Sequence, residues 1–110
     1  MYDLNDVPES RRINFGLIND AAVAVLPSLL KRWLPHGRIE GNEYVARNPT
    51  RADRHVGSFR INLRNGRWCD FATGDAGGDP VSIAAYLAGL SQIEAAERLA
   101  AMLGMEARDA

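Results

Sequence analysis

Residues 66–80, GRWCDFATGDAGGDP, decide the fold of this chain. They are typical of a β-strand that leads through a glycine-rich loop into a helix, because Asp79 is a good N-cap and Pro80 suits the first helical position. Backbone N–H groups in such a loop can bind a phosphate. This loop lacks the Gly-Lys-Ser/Thr of a P-loop, and its aspartates would repel a phosphate. We therefore predict that its glycines supply positive-φ turns and that no nucleotide binds there: Gly74, Gly77 and Gly78.

Upstream, the sequence predicts a small antiparallel sheet. Residues 58–64 alternate with the strand period, and Asn65 with Gly66 forms a typical two-residue turn that returns the chain over residues 67–71. This turn pairs Arg64 with Arg67, Asn62 with Cys69 and Arg60 with Phe71, whereas a bulged turn would invert the faces. An earlier hairpin is predicted over residues 38–47, and residues 48–57 form an arginine-rich loop.

Helices are predicted before and after the sheet. Apolar residues at three- and four-residue spacing indicate a helix that begins after Asp20 and is interrupted at Pro27. Two more helices follow Asp79; the first ends at Gly89, and the second begins at a capping box of Ser91 and Glu94. The predicted fold class is α+β, a small antiparallel sheet flanked by about three helices. Three parts are expected: an irregular lead-in over residues 1–18, a single domain over residues 19–107 and a tail over residues 108–110.

Composition excludes several classes of protein. The 110 residues contain one cysteine, which rules out an internal disulfide and fits a reducing, cytoplasmic setting. No apolar run is long enough to span a membrane, so we expect no membrane partner. Cys69, His36 and His55 lie far apart in sequence, which argues against a metal site. With no cofactor motif and no catalytic set, we expect that this chain alone is not an enzyme.

Positive charge is concentrated in the middle of the chain. Residues 31–67 carry nine basic against three acidic side chains, whereas residues 68–110 carry two against seven. A basic segment between acidic flanks indicates an anionic partner, and the planar guanidinium group suits phosphate. On the predicted hairpin, arginines and an aromatic ring would share one sheet face, which suits single-stranded nucleic acid, although an ordinary solvated face has the same pattern. The predicted nucleic-acid-binding residues are Arg47, Arg51, Arg54, Arg60, Arg64 and Arg67, with Trp68 or Phe71 stacking on a base.

Asp70 is predicted to lie on the apolar face of the hairpin. An unpaired carboxylate is costly there, so an arginine of the preceding loop should pair with it: Arg47, Arg51 or Arg54. The alternative is that Asp70 lies at a frayed strand end in contact with water.

These residues resemble a known family. The Ser58 strand, the Trp-x-Asp-Phe-Ala-Thr-Gly segment from Trp68, the Gly-Gly-Asp loop and the helix after Ser91 resemble the N-terminal zinc-ribbon domain of bacterial-type DNA primases. The similarity covers roughly residues 28–104 and is greatest to zinc-less versions that precede phage- and plasmid-type primases or primase–helicases. The zinc-ligand positions of the family correspond here to Asn48, Arg51, Asp70 and Thr73, which form no good zinc set. The hypothesis that follows is that an Arg51–Asp70 pair replaces the metal cross-link.

The resemblance implies a function in DNA replication. The family's zinc domain contacts template DNA, while a separate Toprim domain polymerises the primer. We expect a module that binds template or single-stranded DNA for a primase or primase–helicase. The alternative is an interaction module that has lost DNA binding and docks on a primase catalytic (Toprim) or helicase domain through its acidic C-terminal helices. A metal-dependent nuclease that uses Asp70, Asp75 and Asp79 is a weaker third hypothesis.

Overall fold

The computed structural model describes residues 12–108 and shows an α+β fold, as predicted. Five antiparallel strands lie side by side in chain order: β1 (Arg38–Glu40), β2 (Glu43–Ala46), β3 (Phe59–Asn62), β4 (Trp68–Asp70) and β5 (Ala76–Gly77). Four helices accompany them: α1 (Phe15–Ala24), α2 (Leu26–Trp33), α3 (Pro80–Ala88) and α4 (Gln92–Met102). The break predicted at Pro27 is confirmed, because Pro27 lies in the first turn of α2.

Helix α1 begins earlier than predicted. Its N-cap is Asn14, whose side-chain oxygen accepts a hydrogen bond from Leu17 N at 3.1 Å, and not Asp20, which lies exposed within the helix. The start of α1 is held by the other end of the chain, since Asn14 N donates to Ala107 O at 2.9 Å and Ile13 forms a β-bridge with Arg108. The predicted irregular lead-in is thus wrong for residues 15–18, while residues 1–11 lie outside the described residues.

The hairpin of β3 and β4 has a longer turn than predicted. Arg60 pairs with Cys69 and Ile61 with Trp68, and the backbone amide of Asn62 donates to Arg67 O at 2.7 Å. A type I′ turn needs a positive φ at both central residues, but here only Gly66 has one, at 77°, and not the asparagine before it. The two-residue turn does not form, and the pairing of β3 with β4 is shifted by two residues from the predicted one. Because the shift is an even number of residues, the side chains of β3 and β4 still lie on the predicted faces of the sheet.

The short strand β5 was not predicted. Its packing explains why one position of the loop is a glycine. Gly77 is packed between Trp68 and Ser82, where an added Cβ would overlap with the indole ring and with Ser82 Oγ. Of the three loop glycines, only Gly74 has a positive φ, at 81°. The prediction that all three serve positive-φ turns is thus wrong for Gly77 and Gly78; Gly77 is needed for close packing instead.

The core has two parts that meet at α2 and α3. One lies among the helices and is centred on Ile18, Leu29, Val81 and Leu99. The other lies between the helices and the inner face of the sheet: Leu26, Leu30, Tyr44, Phe59, Ile61, Trp68 and Ile83. The caps predicted at Asp79, Gly89 and Ser91 are confirmed. None of the four helices is long and apolar enough to span a bilayer, within the part of the chain that the structure describes.

The packing of Gly77 gives a stability prediction. Gly77→Ala should lower the free energy of unfolding by about 2 kcal/mol, because the methyl group must displace the indole ring or the Ser82 side chain. Gly78→Ala is a matched control, since a Cβ there meets nothing within 4 Å. Urea unfolding of both variants measures the difference. Equal stability of the two would contradict the packing described here.

Candidate functional site

Three of the four residues at the predicted zinc-ligand positions form one buried polar cluster. Arg51 Nε donates to Asp70 Oδ2 at 2.8 Å, and Arg51 Nη2 donates to Asp70 Oδ1 at 3.3 Å. Asn48 Nδ2 donates to Asp70 Oδ2 at 2.9 Å. The fourth position, Thr73, lies in the adjacent turn, with an exposed side chain and its amide 3.3 Å from Asp70 O. The predicted Arg51–Asp70 pair is confirmed, and the alternative of a solvated Asp70 is wrong.

The burial of Asp70 determines how this ion pair acts in the fold. The Asp70 side chain has no exposed surface, and it also accepts a hydrogen bond from Ala72 N at 2.9 Å. The guanidinium of Arg51 and the further donors hold the pKa of Asp70 well below its usual value, against the opposing effect of burial. Asp70 is therefore a carboxylate at neutral pH and serves as an acceptor that ties its neighbours together.

The cluster cross-links the loop, the sheet and a helix. Arg51 Nη2 also donates to Ser58 Oγ at 2.9 Å and pairs with Asp53 at 3.2 Å. On the other side, Asn48 Nδ2 donates to the Tyr86 hydroxyl of α3 at 2.8 Å, and that hydroxyl donates to Asp75 Oδ2 at 2.8 Å. The chain of contacts thus spans residues 48–58, β4, the following loop and α3. Such a network, with its polar groups satisfied, holds these segments rigidly together.

Two of the six predicted arginines are occupied by acidic partners. Arg51 belongs to the buried cluster. Arg60 lies on the outer face of the sheet, where its guanidinium is 3.3 Å from Glu43 and 3.7 Å from Glu40. Glu40 also pairs with Arg38. The outer face therefore carries a balanced charge network, in which Arg60 is not free to contact a phosphate.

The other four predicted arginines divide between the two ends of the sheet. Their guanidinium groups are exposed and have no partner among residues 12–108: Arg47, Arg54, Arg64 and Arg67. Arg64 and Arg67 lie in or beside the β3–β4 turn. Arg47 and Arg54 lie at the opposite end, which we call the loop end of the sheet, formed by residues 47–58 and 71–75.

The two predicted aromatic residues differ in exposure. Trp68 is 5% exposed, packs against Phe59 and Tyr86, and donates from its indole N–H to Ser82 Oγ at 3.2 Å. The suggestion that Trp68 stacks on a base is therefore wrong, because its side chain is buried among these neighbours. Phe71 is 72% exposed at the loop end. Its amide donates to Ser58 O at 2.9 Å, and Ser58 directly precedes Phe59, whose partner Ala46 directly precedes Arg47.

Nucleophiles and metal ligands do not converge in this region. Cys69 is half-buried on the outer face, and desolvation raises the pKa of its thiol. Asp79 caps α3 through Ser82 N at 2.8 Å, and Asp75 accepts the Tyr86 hydroxyl. Within residues 12–108, no group of three or more His, Cys, Asp or Glu side chains is placed to hold a metal ion.

Sequence reasoning missed two parts of the site. The role of Tyr86 has no local signal, because it lies on a helix far along the chain from Asn48. Trp33 and His36 were not predicted to be near Arg47, yet all three line one groove. No family model matches this chain, and no curated protein matches it either.

The buried carboxylate gives a second stability prediction. Asp70→Ala should lower the free energy of unfolding by about 3 kcal/mol and the melting temperature by at least about 10 °C, because it leaves the donors of Arg51, Asn48 and Ala72 without their acceptor. Asp75→Ala, which removes an exposed carboxylate that accepts one hydrogen bond at the edge of this network, should cost much less. Calorimetry of the three proteins checks this. Similar melting of both variants would show that the cluster is not a cross-link.

The lowered pKa of Asp70 also predicts the acid dependence of stability. A carboxylate whose pKa is lower in the folded state stabilises the fold above its unfolded pKa, and this contribution is lost as the pH falls. Asp70 should therefore contribute about 2 kcal/mol less at about pH 2.5 than at about pH 6. Urea unfolding across this range should show a shallower decline for Asp70→Asn than for the original protein. Parallel curves would contradict the assignment.

Proposed function

We propose that this chain is a DNA-binding module that holds a single or template strand at the loop end of the sheet, for a primase or primase–helicase. The observation that carries the proposal is the row formed by Arg47, Ser58 and Phe71 across three neighbouring strand ends. Strands are about 4.8 Å apart, so the guanidinium-bearing residue and the exposed ring are separated by about 10 Å at their Cα atoms. That spacing lets one residue hold a phosphate while the other stacks on a base.

The charge around this row supports an anionic partner. Arg47 and Arg54 are exposed and lack acidic partners among the described residues, while Asp53 and Asp70 pair with Arg51 and Asp75 accepts the Tyr86 hydroxyl. Asp70 is bound by Arg51, and Asp53 accepts hydrogen bonds from Asn48 N at 2.9 Å and from His55 N at 3.3 Å. The guanidinium groups of Arg47 and Arg54 are thus not held by carboxylates, and both can contact a phosphate backbone at the loop end.

Titration with single-stranded oligonucleotides tests the proposal. We expect micromolar affinity, little sequence preference and a strong dependence on salt. The double variant Arg47→Ala/Arg54→Ala should weaken binding about tenfold and reduce the slope of log K against log salt by about 1.4, which corresponds to two lost phosphate contacts. Fluorescence anisotropy at several salt concentrations measures both quantities.

Two control pairs locate the interface. Arg98→Ala/Arg108→Ala changes the net charge equally, in and just after α4, and should leave the salt slope unchanged. Arg64→Ala/Arg67→Ala asks whether the strand also reaches the β3–β4 turn. If the original protein binds no oligonucleotide at low salt, or if the control on α4 loses as much affinity as Arg47→Ala/Arg54→Ala, the proposal is wrong.

A second candidate function is the interaction module that docks on a primase catalytic or helicase domain. The observation that favours it is the pairing of Arg51 and Arg60 with acidic side chains, which removes two of the predicted phosphate contacts. It requires that neither single-stranded nor duplex DNA binds at low salt. The same titration therefore separates the two functions.

A further inference from the structure

A groove of about 580 Å³ lies beside Arg47. One wall is the segment that follows α2, and the other is the loop of residues 46–56. Its apolar lining includes Trp33, Pro35, Pro49 and Val56. The indole of Trp33 is half-buried, so it is anchored in the core and still presents surface to the groove. This volume lies in the range of pockets that bind small organic ligands.

The groove wall after α2 is held in place by the sheet. The buried Tyr44 hydroxyl donates to Leu34 O, and Gly37 N donates to Leu34 O at 3.1 Å. Gly37 packs so closely on the Tyr44 ring that an added Cβ would overlap with it. The opposite wall is fixed by the buried cluster through Asn48 and Arg51. The groove is therefore formed before any ligand binds.

The charges of the groove are arranged to receive an anion at its rim. Asp53 is the acidic residue of the lining, and its side chain is only 6% exposed and bound by Arg51 and Asn48 N. His36 and Arg47 are exposed and have no acidic partner among the described residues. The lining thus combines apolar side chains with polar groups that bind one another, while the exposed Arg47 and His36 offer a guanidinium group and an imidazole N–H as phosphate donors.

We infer that this groove binds one unstacked base of a single strand, with the base against Trp33 and its flanking phosphates on Arg47 and His36. The inference rests on the proposed function and adds a preference for single strands. A base inside a duplex is stacked and paired, so it cannot enter a groove without being extruded. An apolar surface beside exposed phosphate donors is the combination that single-stranded nucleic acid requires.

Photocrosslinking tests the position of the base. An oligo(dT) strand that carries one 5-iodouracil is bound to the full chain, irradiated and mapped by mass spectrometry. We expect a crosslink in the peptide that contains Trp33, while Trp68, which is 5% exposed, serves as an internal negative control. If the strand binds and its crosslinks map only to other residues such as Phe71, the inference is wrong.

A groove-filling variant tests the preference for single strands. Pro49→Phe adds bulk to the groove from an exposed position and should weaken single-strand binding at least fivefold, while duplex binding is unchanged. Ala52→Phe is the matched control, because it adds the same side chain to an exposed position of the same loop outside the groove lining. Melting temperatures verify that both variants fold.

The outcomes separate the inference from the proposed function. If neither single strands nor duplexes bind at low salt, both are wrong. If single strands bind and depend on Arg47 and Arg54, but Pro49→Phe binds them as tightly as Ala52→Phe does, only the groove is wrong. A preference for single strands of at least tenfold over duplexes at equal salt, reduced at least fivefold in Pro49→Phe, supports the inference.

Discussion

The ion pair between Arg51 and Asp70 is the interaction on which the rest of this structure depends. A carboxylate without exposed surface is costly unless its charge is compensated, and the guanidinium group does this through two hydrogen bonds. Because Arg51 lies in a loop without regular secondary structure, the same contact fixes the path of residues 48–58 across the end of the sheet. Within this segment the Asn48 amide donates to the Asp53 carboxylate, and the Asn48 side chain donates to the Tyr86 hydroxyl on α3.

This ion pair also determines which surface is left for binding. The guanidinium of Arg51 is occupied by Asp70, Asp53 and Ser58, so it is not available to a phosphate. On the outer face, Arg60 is compensated by glutamates of β1 and β2. Of the arginines of the sheet and its loops, those without an acidic partner among residues 12–108 lie at the two ends of the sheet: Arg47, Arg54, Arg64 and Arg67. This moves the candidate interface from the sheet face to the loop end, beside the exposed Phe71 and the groove.

Sequence reasoning succeeded where near neighbours in the chain decide the structure. The caps at Asp79 and Ser91 depend on hydrogen bonds to residues three positions away, and both are present. The predictions were wrong where two local patterns were equally suitable and contacts with distant residues decided between them. Asn14 and Asp20 are both suitable N-caps, and the anchoring of Asn14 by Ala107 selects the first. The prediction for the β3–β4 turn was wrong for a conformational reason. A type I′ turn requires a positive φ at two successive residues, and among residues 12–108 no residue other than glycine adopts one.

By itself, the sequence determined the α+β class, the alternation of the strands and the need of Asp70 for an arginine partner. These follow from periodicity and from the cost of burying charge, which are properties of short segments. Only the tertiary structure decided that Arg51 is that partner, that Trp68 is buried while Phe71 is exposed, and that Trp33 lies beside Arg47. Each of these is set by contacts between residues far apart in the chain, and such contacts exist only once the sheet and helices have packed together.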